Sequence, residues 1–140
     1  MKYLGVVLLV LSGYVMAEEV YYCADYNQRS VGFKANNKTR QYLETDFYET
    51  KFQMKLQSDG NISIKIINQP NRRDLYICSF TSDGHNGKAG KSCVSKTNNG
   101  NYLNFNLSNS RYVLLNGSGY VFNEHDSVSV NIGSCTLIPV

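Results

Sequence analysis

The sequence predicts an all-β fold, a small antiparallel meander β-barrel of eight or nine strands. Three observations favour it: short runs in which apolar and polar residues alternate, turns rich in Asn and Gly between them, and a cysteine near each end. Because short turns join successive strands, neighbouring strands should be antiparallel, and closure into a barrel would leave no exposed edges. A two-sheet β-sandwich is the alternative.

The clearest strands show strict alternation. In segment 127–135, Val128, Val130 and Ile132 face one side, and the segment ends in Cys135. Segments 52–57 and 62–66 alternate in the same way on either side of an Asp-Gly turn at residues 59–60, which predicts a β-hairpin.

The remaining segments are predicted from shorter patterns. Further strands are expected at residues 20–26, 31–35, 75–80, 93–95, 102–108, 111–115 and 120–122. Segment 81–92 contains three glycines and is expected to be a loop, and segment 40–49 has no clear period and is compatible with one helical turn.

The first 17 residues have the pattern of a secretory signal peptide. A basic Lys2 precedes an apolar run at residues 4–11, and small residues end at Ala17. The run is too short to span a bilayer, and no cysteine follows the expected cleavage site, which argues against a bacterial lipoprotein. We expect residues 18–140 to form one soluble domain in a periplasm or outside the cell.

Charge and composition limit the classes of partner. Of 14 basic and 11 acidic side chains, only Lys2 falls in residues 1–17, which leaves a net charge of +2. This charge is too small to indicate binding to nucleic acid or to an anionic membrane. We therefore expect a monomer that needs no cofactor and binds a protein or a small ligand.

The four cysteines, Cys23, Cys78, Cys93 and Cys135, are an even number in a chain expected to be exported, which indicates disulfides. Three pairings are possible. We favour Cys23–Cys135 with Cys78–Cys93, because the outer pair joins the chain ends and the inner pair brackets one loop. A zinc site is disfavoured because no close Cys-x-x-Cys pair is present.

The segment 85–92 resembles a phosphate-binding loop in its letters. It matches G-x-x-x-x-G-K-[ST] except that His85 replaces the first glycine. That chemistry requires a helix whose N-terminus faces the phosphates, whereas this segment leads into Cys93 and a polar strand-like run. The functional candidate is a weak anion site of Lys88, Lys91 and glycine amides; the structural alternative is a mobile loop held at its base by a disulfide.

No catalytic constellation stands out. Glu124, His125 and Asp126 are consecutive, so their side chains point in different directions from a turn expected to be solvated. No serine lies in a G-x-S-x-G nucleophile elbow, and each cysteine has a possible disulfide partner. We interpret the protein as a non-enzyme, with an unrecognised hydrolase as an alternative.

A short motif precedes the final strands: Ser108, Asn109, Ser110, Arg111 and Tyr112. With the first and last cysteines, it resembles the small periplasmic inhibitors of c-type lysozyme. Those are meander β-barrels with an early-to-late disulfide and a Ser-Gly-Ala-Arg/Lys-Tyr motif whose loop enters the lysozyme cleft. Here Asn109 and Ser110 replace the small residues, and the family's later Lys-Gly-x-x-Ala segment is missing. The chain is also similar to small exported bacterial proteins without an assigned activity.

The function that follows is partner binding through polar loops on a rigid barrel. The alternatives are inhibition of c-type lysozyme and binding of a small apolar ligand inside the barrel. The expected binding residues are Ser108, Ser110, Arg111 and Tyr112 at one turn, and His85, Lys88 and Lys91 in the loop 81–92.

Overall fold

A computed structural model describes residues 18–26, 31–36, 41–45, 49–69, 71–82, 89–118 and 127–139. Within these ranges no helix is long and apolar enough to cross a membrane. The elements are ten strands: β1 (Glu19–Asp25), β2 (Val31–Asn36), β3 (Gln41–Thr45), β4 (Lys51–Leu56), β5 (Ile62–Ile66), β6 (Arg73–Ser82), β7 (Ala89–Ser95), β8 (Asn101–Asn106), β9 (Arg111–Asn116) and β10 (Ser127–Ile138).

Eight of the strands close into an antiparallel barrel in the order β1-β4-β5-β6-β7-β8-β9-β10, and pairing of β10 with β1 completes the ring. The predicted barrel is therefore confirmed over the sandwich. Each step from β4 to β10 joins neighbours in sequence, which is the expected meander. The hairpin of β2 and β3 lies outside the ring, with β2 paired to β10.

Strand β10 is shared between three partners. One edge pairs with β9 between Ser129 and Ser134. The other edge pairs with β1 from Gly133 to Ile138 and with β2 from Ser127 to Val130. The N–H of Tyr26 donates to the carbonyl of Ile132 at 2.8 Å, between these two stretches. The closing strand thus joins the barrel to the β2–β3 hairpin.

Both favoured disulfides are confirmed. Cys23 and Cys135 lie directly opposite each other on β1 and β10, and Cys78 and Cys93 do so on β6 and β7. Each bridge therefore links neighbouring strands of the barrel. Two disulfides are consistent with an oxidising location outside the cytoplasm.

One local expectation was wrong. The expected loop 81–92 is shorter, because β6 continues to Ser82 and β7 begins at Ala89, so the hairpin pairs beyond its disulfide. In the segment 40–49, which was compatible with a helical turn, residues 41–45 form β3 and pair along its whole length with β2, while residues 46–48 lie outside the described residues. The expected signal peptide 1–17, strand 120–122 and turn 124–126 lie outside the described residues.

The barrel interior is a packed apolar core at its middle levels. Rings from strands on opposite sides meet there: the Tyr21 and Phe105 centroids are 5.3 Å apart, and those of Phe52 and Tyr112 are 5.0 Å apart. Protein side chains therefore fill this level, which argues against an apolar ligand between these strands. The buried core comprises Tyr21, Cys23, Phe52, Met54, Leu56, Ile62, Ile64, Tyr76, Cys93, Leu103, Phe105, Tyr112, Leu114 and Cys135.

Candidate functional site

The turn between β8 and β9, residues 107–110, is held by two asparagine side chains. The Asn106 carboxamide oxygen accepts the N–H groups of Ser108 at 2.8 Å and Asn109 at 3.2 Å. The Asn109 oxygen accepts the N–H of Arg111 at 3.0 Å. Asparagine favours such turns because its side chain replaces a backbone acceptor. Ser110 has a left-handed backbone (φ 54°). These hydrogen bonds therefore fix the conformation of the turn.

The structure separates the residues of the sequence motif. Ser108 in the turn and Arg111 at the start of β9 are exposed, and Ser110 is half-buried. Tyr112, in contrast, is only 2% exposed and points into the barrel. Ser108 and Arg111 are therefore accessible to a partner, whereas Tyr112 anchors the strand that presents them.

Tyr112 belongs to a buried polar network. Its hydroxyl donates to Oδ1 of Asp25 at 2.5 Å, while Oδ2 of Asp25 accepts Nδ2 of Asn131 at 2.7 Å and the N–H of Thr50 at 3.0 Å. Burial, followed by the hydrogen bond to Asp25, raises the pKa of Tyr112 well above its ordinary value. The network satisfies a buried carboxylate and is structural.

Gly133 provides the room for this network. A Cβ at Gly133 would lie 2.4 Å from the Tyr112 hydroxyl and 2.2 Å from the Ala24 carbonyl oxygen. Both distances are far inside van der Waals contact. A glycine is therefore required where β10 passes the tyrosine.

Lys91 is in β7 rather than in a loop, and only 3% of it is exposed. Its ammonium donates to the Gly60 carbonyl at 3.0 Å and lies 3.8 Å from the Phe80 ring centroid. Burial lowers the pKa of Lys91, partly offset by Asp59. Lys91 therefore supports the β4–β5 turn. His85 and Lys88 lie outside the described residues, so an anion site there stays a prediction.

A shallow groove of about 360 Å³ runs beside the β8–β9 turn on the outside of the barrel. We call it the Asn-Arg groove. Its polar side chains project from β8, the turn and the start of β9, and its apolar floor comes from neighbouring positions of β9 and β10, which pair directly. Its defining residues are Asn104, Asn106, Asn109, Arg111, Val113 and Ile132.

An exposed apolar row lies next to this groove. Consecutive register pairs across five strands place Ile77, Val94, Tyr102, Leu115 and Val130 side by side on the outer face. Ile77 and Val94 are each 48% exposed and Tyr102 is 47% exposed. Contiguous apolar side chains on a protein surface mark interaction sites more often than scattered ones do.

The sequence analysis found the turn but not the row. The row's members are spread over residues 77–130 and meet only through strand register. A partial signal was present, because Ile77, Val94 and Tyr102 alternate with inward-facing residues and so had to point outward. The groove's asparagines were also missed, because the groove forms only where β8, β9 and β10 pair.

This surface offers groups for non-covalent binding. The Asn-Arg groove offers carboxamides and one guanidinium, and the apolar row offers an aromatic and four aliphatic side chains. Among the described residues, no three His, Cys, Asp or Glu side chains come together to hold a metal ion. The surface can bind through hydrogen bonds, charge and apolar contact.

Comparison with known proteins gave no matching family model, curated protein or solved structure.

Proposed function

We propose that this is a non-enzymatic binding protein of the periplasm or the extracellular space, exported through the signal peptide at residues 1–17. Its binding surface is the outer wall formed by the apolar row and the Asn-Arg groove. The observation that carries the proposal is the exposure of Ile77, Val94 and Tyr102 side by side on adjacent strands. Such a surface loses water-exposed apolar area only when a partner covers it.

The shape of the surface supports this function. The row lies on a disulfide-bonded barrel, and the adjacent turn is fixed by Asn106 and Asn109. A rigid surface loses little conformational entropy on binding. Tyr102 is in the middle of the row, and tyrosine is enriched among residues that dominate binding energy.

Position-specific photocrosslinking tests this proposal. The photoreactive residue p-benzoylphenylalanine replaces Tyr102 in the full chain, expressed in its source cells, and separately replaces the control Tyr22. Tyr22 is 39% exposed and lies on β1, outside the binding surface. We expect one discrete heterologous product from position 102 and none from position 22. Equal labelling at both positions, or none at 102, would contradict the proposal.

Inhibition of c-type lysozyme is a second candidate. One observation favours it: Ser108 and Arg111, which match the motif of the inhibitor family, are both exposed, one in a rigid turn and the other directly after it. Arg111 makes no ion pair with any residue in the described ranges. A lysozyme active site holds two carboxylates that a guanidinium could pair with.

A lysis assay separates the two candidates. Purified protein is mixed with c-type lysozyme, and the clearing of a peptidoglycan suspension is followed. If the candidate is correct, excess protein protects the suspension, Arg111→Ser removes the protection, and the control Arg72→Ser, an exposed arginine outside the apolar row and the Asn-Arg groove, retains it. Lack of protection at excess protein would eliminate this candidate without affecting the crosslinking result.

A further inference from the structure

The charges of the barrel strands are segregated by face. Among the described residues, every charged side chain that points outward from the eight barrel strands is basic. The acidic side chains of the same strands, Glu19, Asp25 and Asp74, occupy inward-facing positions. The outward-facing basic residues are Lys51, Lys55, Lys65, Arg73 and Arg111.

The inward-facing carboxylates are occupied within the protein. Asp74 accepts the Ser95 hydroxyl at 2.6 Å, the Thr97 hydroxyl, and Nδ2 of Asn98 at 3.2 Å. Asp25 accepts three donors in the Tyr112 network, and Glu19 accepts the Tyr21 hydroxyl at 2.5 Å. These carboxylates keep their negative charge, but no ion pair in the described ranges joins them to the outward-facing bases.

Among the outward-facing bases of the described barrel strands, those on β4 are paired and those nearer the apolar row are not. On β4, Lys51 pairs with Glu49 at 3.8 Å and Lys55 pairs with Glu18 at 2.5 Å. No ion pair within the described part of the chain reaches the four bases nearer the apolar row, which are Lys65, Arg73, Lys96 and Arg111.

Two of these bases are directly opposed. Lys65 on β5 and Arg73 on β6 are register partners on the same outer face. Like charges directly opposite each other destabilise a sheet. A carboxylate of the partner placed between Lys65 and Arg73 would form a favourable ion pair with each of them and so offset the repulsion.

The bases bracket the apolar row at both ends of its strands. Arg73 precedes Ile77 on β6, and Lys96 follows Val94 at the same end, where its N–H donates to Leu75. Arg111 lies at the opposite end, beside the Asn-Arg groove. An apolar centre with a basic rim is the complement of an apolar patch rimmed by acids.

We infer that the partner is an acidic protein whose surface places carboxylates around an apolar patch. This inference rests on the proposed function and names its partner class. A second copy of this chain fits poorly, because two basic walls would face each other. A polyanion or an anionic lipid surface would use the charges but not the row of Ile77, Val94 and Tyr102.

Defined probes test the inference. The folded protein, as isolated from the cells that express the full chain, is titrated against a fluorescent random copolymer of glutamate and tyrosine, and against polyglutamate, heparin and phosphatidylglycerol vesicles. We expect the copolymer to bind roughly tenfold more tightly than polyglutamate, because apolar contact adds to charge. Added salt should weaken both complexes, since the rim charges are exposed.

Matched variants assign the binding to this wall. The pair Lys65→Gln with Arg73→Gln, and separately Tyr102→Ser, should each weaken copolymer binding about fivefold. The controls Lys55→Gln and Tyr22→Ser, on β4 and β1, should leave the affinity unchanged. Circular dichroism checks that every variant is folded.

Several results would overturn the inference. Failure of the copolymer to bind at low salt would do so, as would equal or tighter binding of heparin or vesicles with no effect of Tyr102→Ser. If crosslinking at position 102 in cells is strong and unchanged by the Lys65 and Arg73 substitutions, the acidic partner is wrong while the binding function stands. If that crosslinking is absent, the proposed function itself fails.

Discussion

At the scale of single residues, the hydrogen bond from Tyr112 to Asp25 joins the strand that follows the β8–β9 turn to the buried core. Tyr112→Phe removes a donor from a carboxylate that is 5% exposed. We expect the free energy of unfolding to fall by about 1–3 kcal/mol, the usual penalty for an incompletely satisfied buried group. Urea unfolding at pH 7 measures it. Tyr102→Phe, which alters an exposed tyrosine, is the control, and an equal loss there would refute the assignment.

Buried tyrosines also set the alkaline limit of stability. Burial, with a smaller contribution from Glu19, raises the pKa of Tyr21 from 10.0 to about 12, and burial raises the pKa of Tyr76 and Tyr112 further. The unfolded chain therefore loses these protons first. The stabilisation is complete below pH 10, and the part that comes from Tyr21 is lost as the pH rises through about 12.

The measurement is the unfolding free energy at several pH values between 8 and 12. We expect a decline above pH 10 that is shallower in Tyr21→Phe than in Tyr22→Phe. Lys91 acts in the opposite sense: its pKa is lowered in the folded state, so its contribution rises with pH up to its ordinary value of 10.5. A flat profile above pH 10 would show that the tyrosines ionise without unfolding.

At the scale of elements, β10 depends on Gly133. Gly133→Ala would place a methyl group against the Ala24 carbonyl and the Tyr112 ring, so either β1 or the tyrosine must move. We expect a loss of at least about 1–3 kcal/mol, the range for overpacked cores. Thermal unfolding measures the loss, with Ser134→Ala on the outer face of the same strand as the control. A wild-type melting temperature for Gly133→Ala would contradict this packing.

Whether an element could be predicted depends on whether its own residues or the strands that pair with it determine its conformation. The β4–β5 hairpin was predictable because its alternation and its Asp-Gly turn are local, and Gly60 does adopt a positive φ of 84°. Strand β3 was missed because its conformation comes from pairing with β2 and not from its own pattern. The ends of β6 and β7 were missed because polar and glycine residues continue a ladder already fixed by Cys78–Cys93.

In the candidate site, too, some features are set by consecutive residues and others by strands that pair from distant parts of the chain. The turn that presents Ser108 and Arg111 could be located from five consecutive letters. The inward orientation of Tyr112 and the burial of Lys91 depend on the facing strands and on the β4–β5 turn, which the letters do not specify. The apolar row and the basic rim form only because the register of the paired strands brings their residues together.

At the scale of the whole molecule, the two disulfides should contribute unequally. Cys23–Cys135 closes 112 residues and Cys78–Cys93 closes 15. On the loop-entropy model their contributions are about 5 and about 3 kcal/mol. We expect the double Ala variant of the outer pair to unfold at lower urea than that of the inner pair. The reverse order would mean that native packing, rather than unfolded-chain entropy, dominates.

The shared position of β10 has a consequence for how the chain is made. Cys135 on β10 is 112 residues after Cys23 on β1. Until β10 has been synthesised, β1 and β9 each have an unpaired edge, and β2 has no partner in the barrel. A nascent chain can form the local hairpins from β4 to β9, but it cannot close the ring until β10 has been synthesised. Until β10 pairs with β1 and β9, the chain exposes strand edges of the kind that favour aggregation. The covalent bond between first and last strands is the step that ends this exposure.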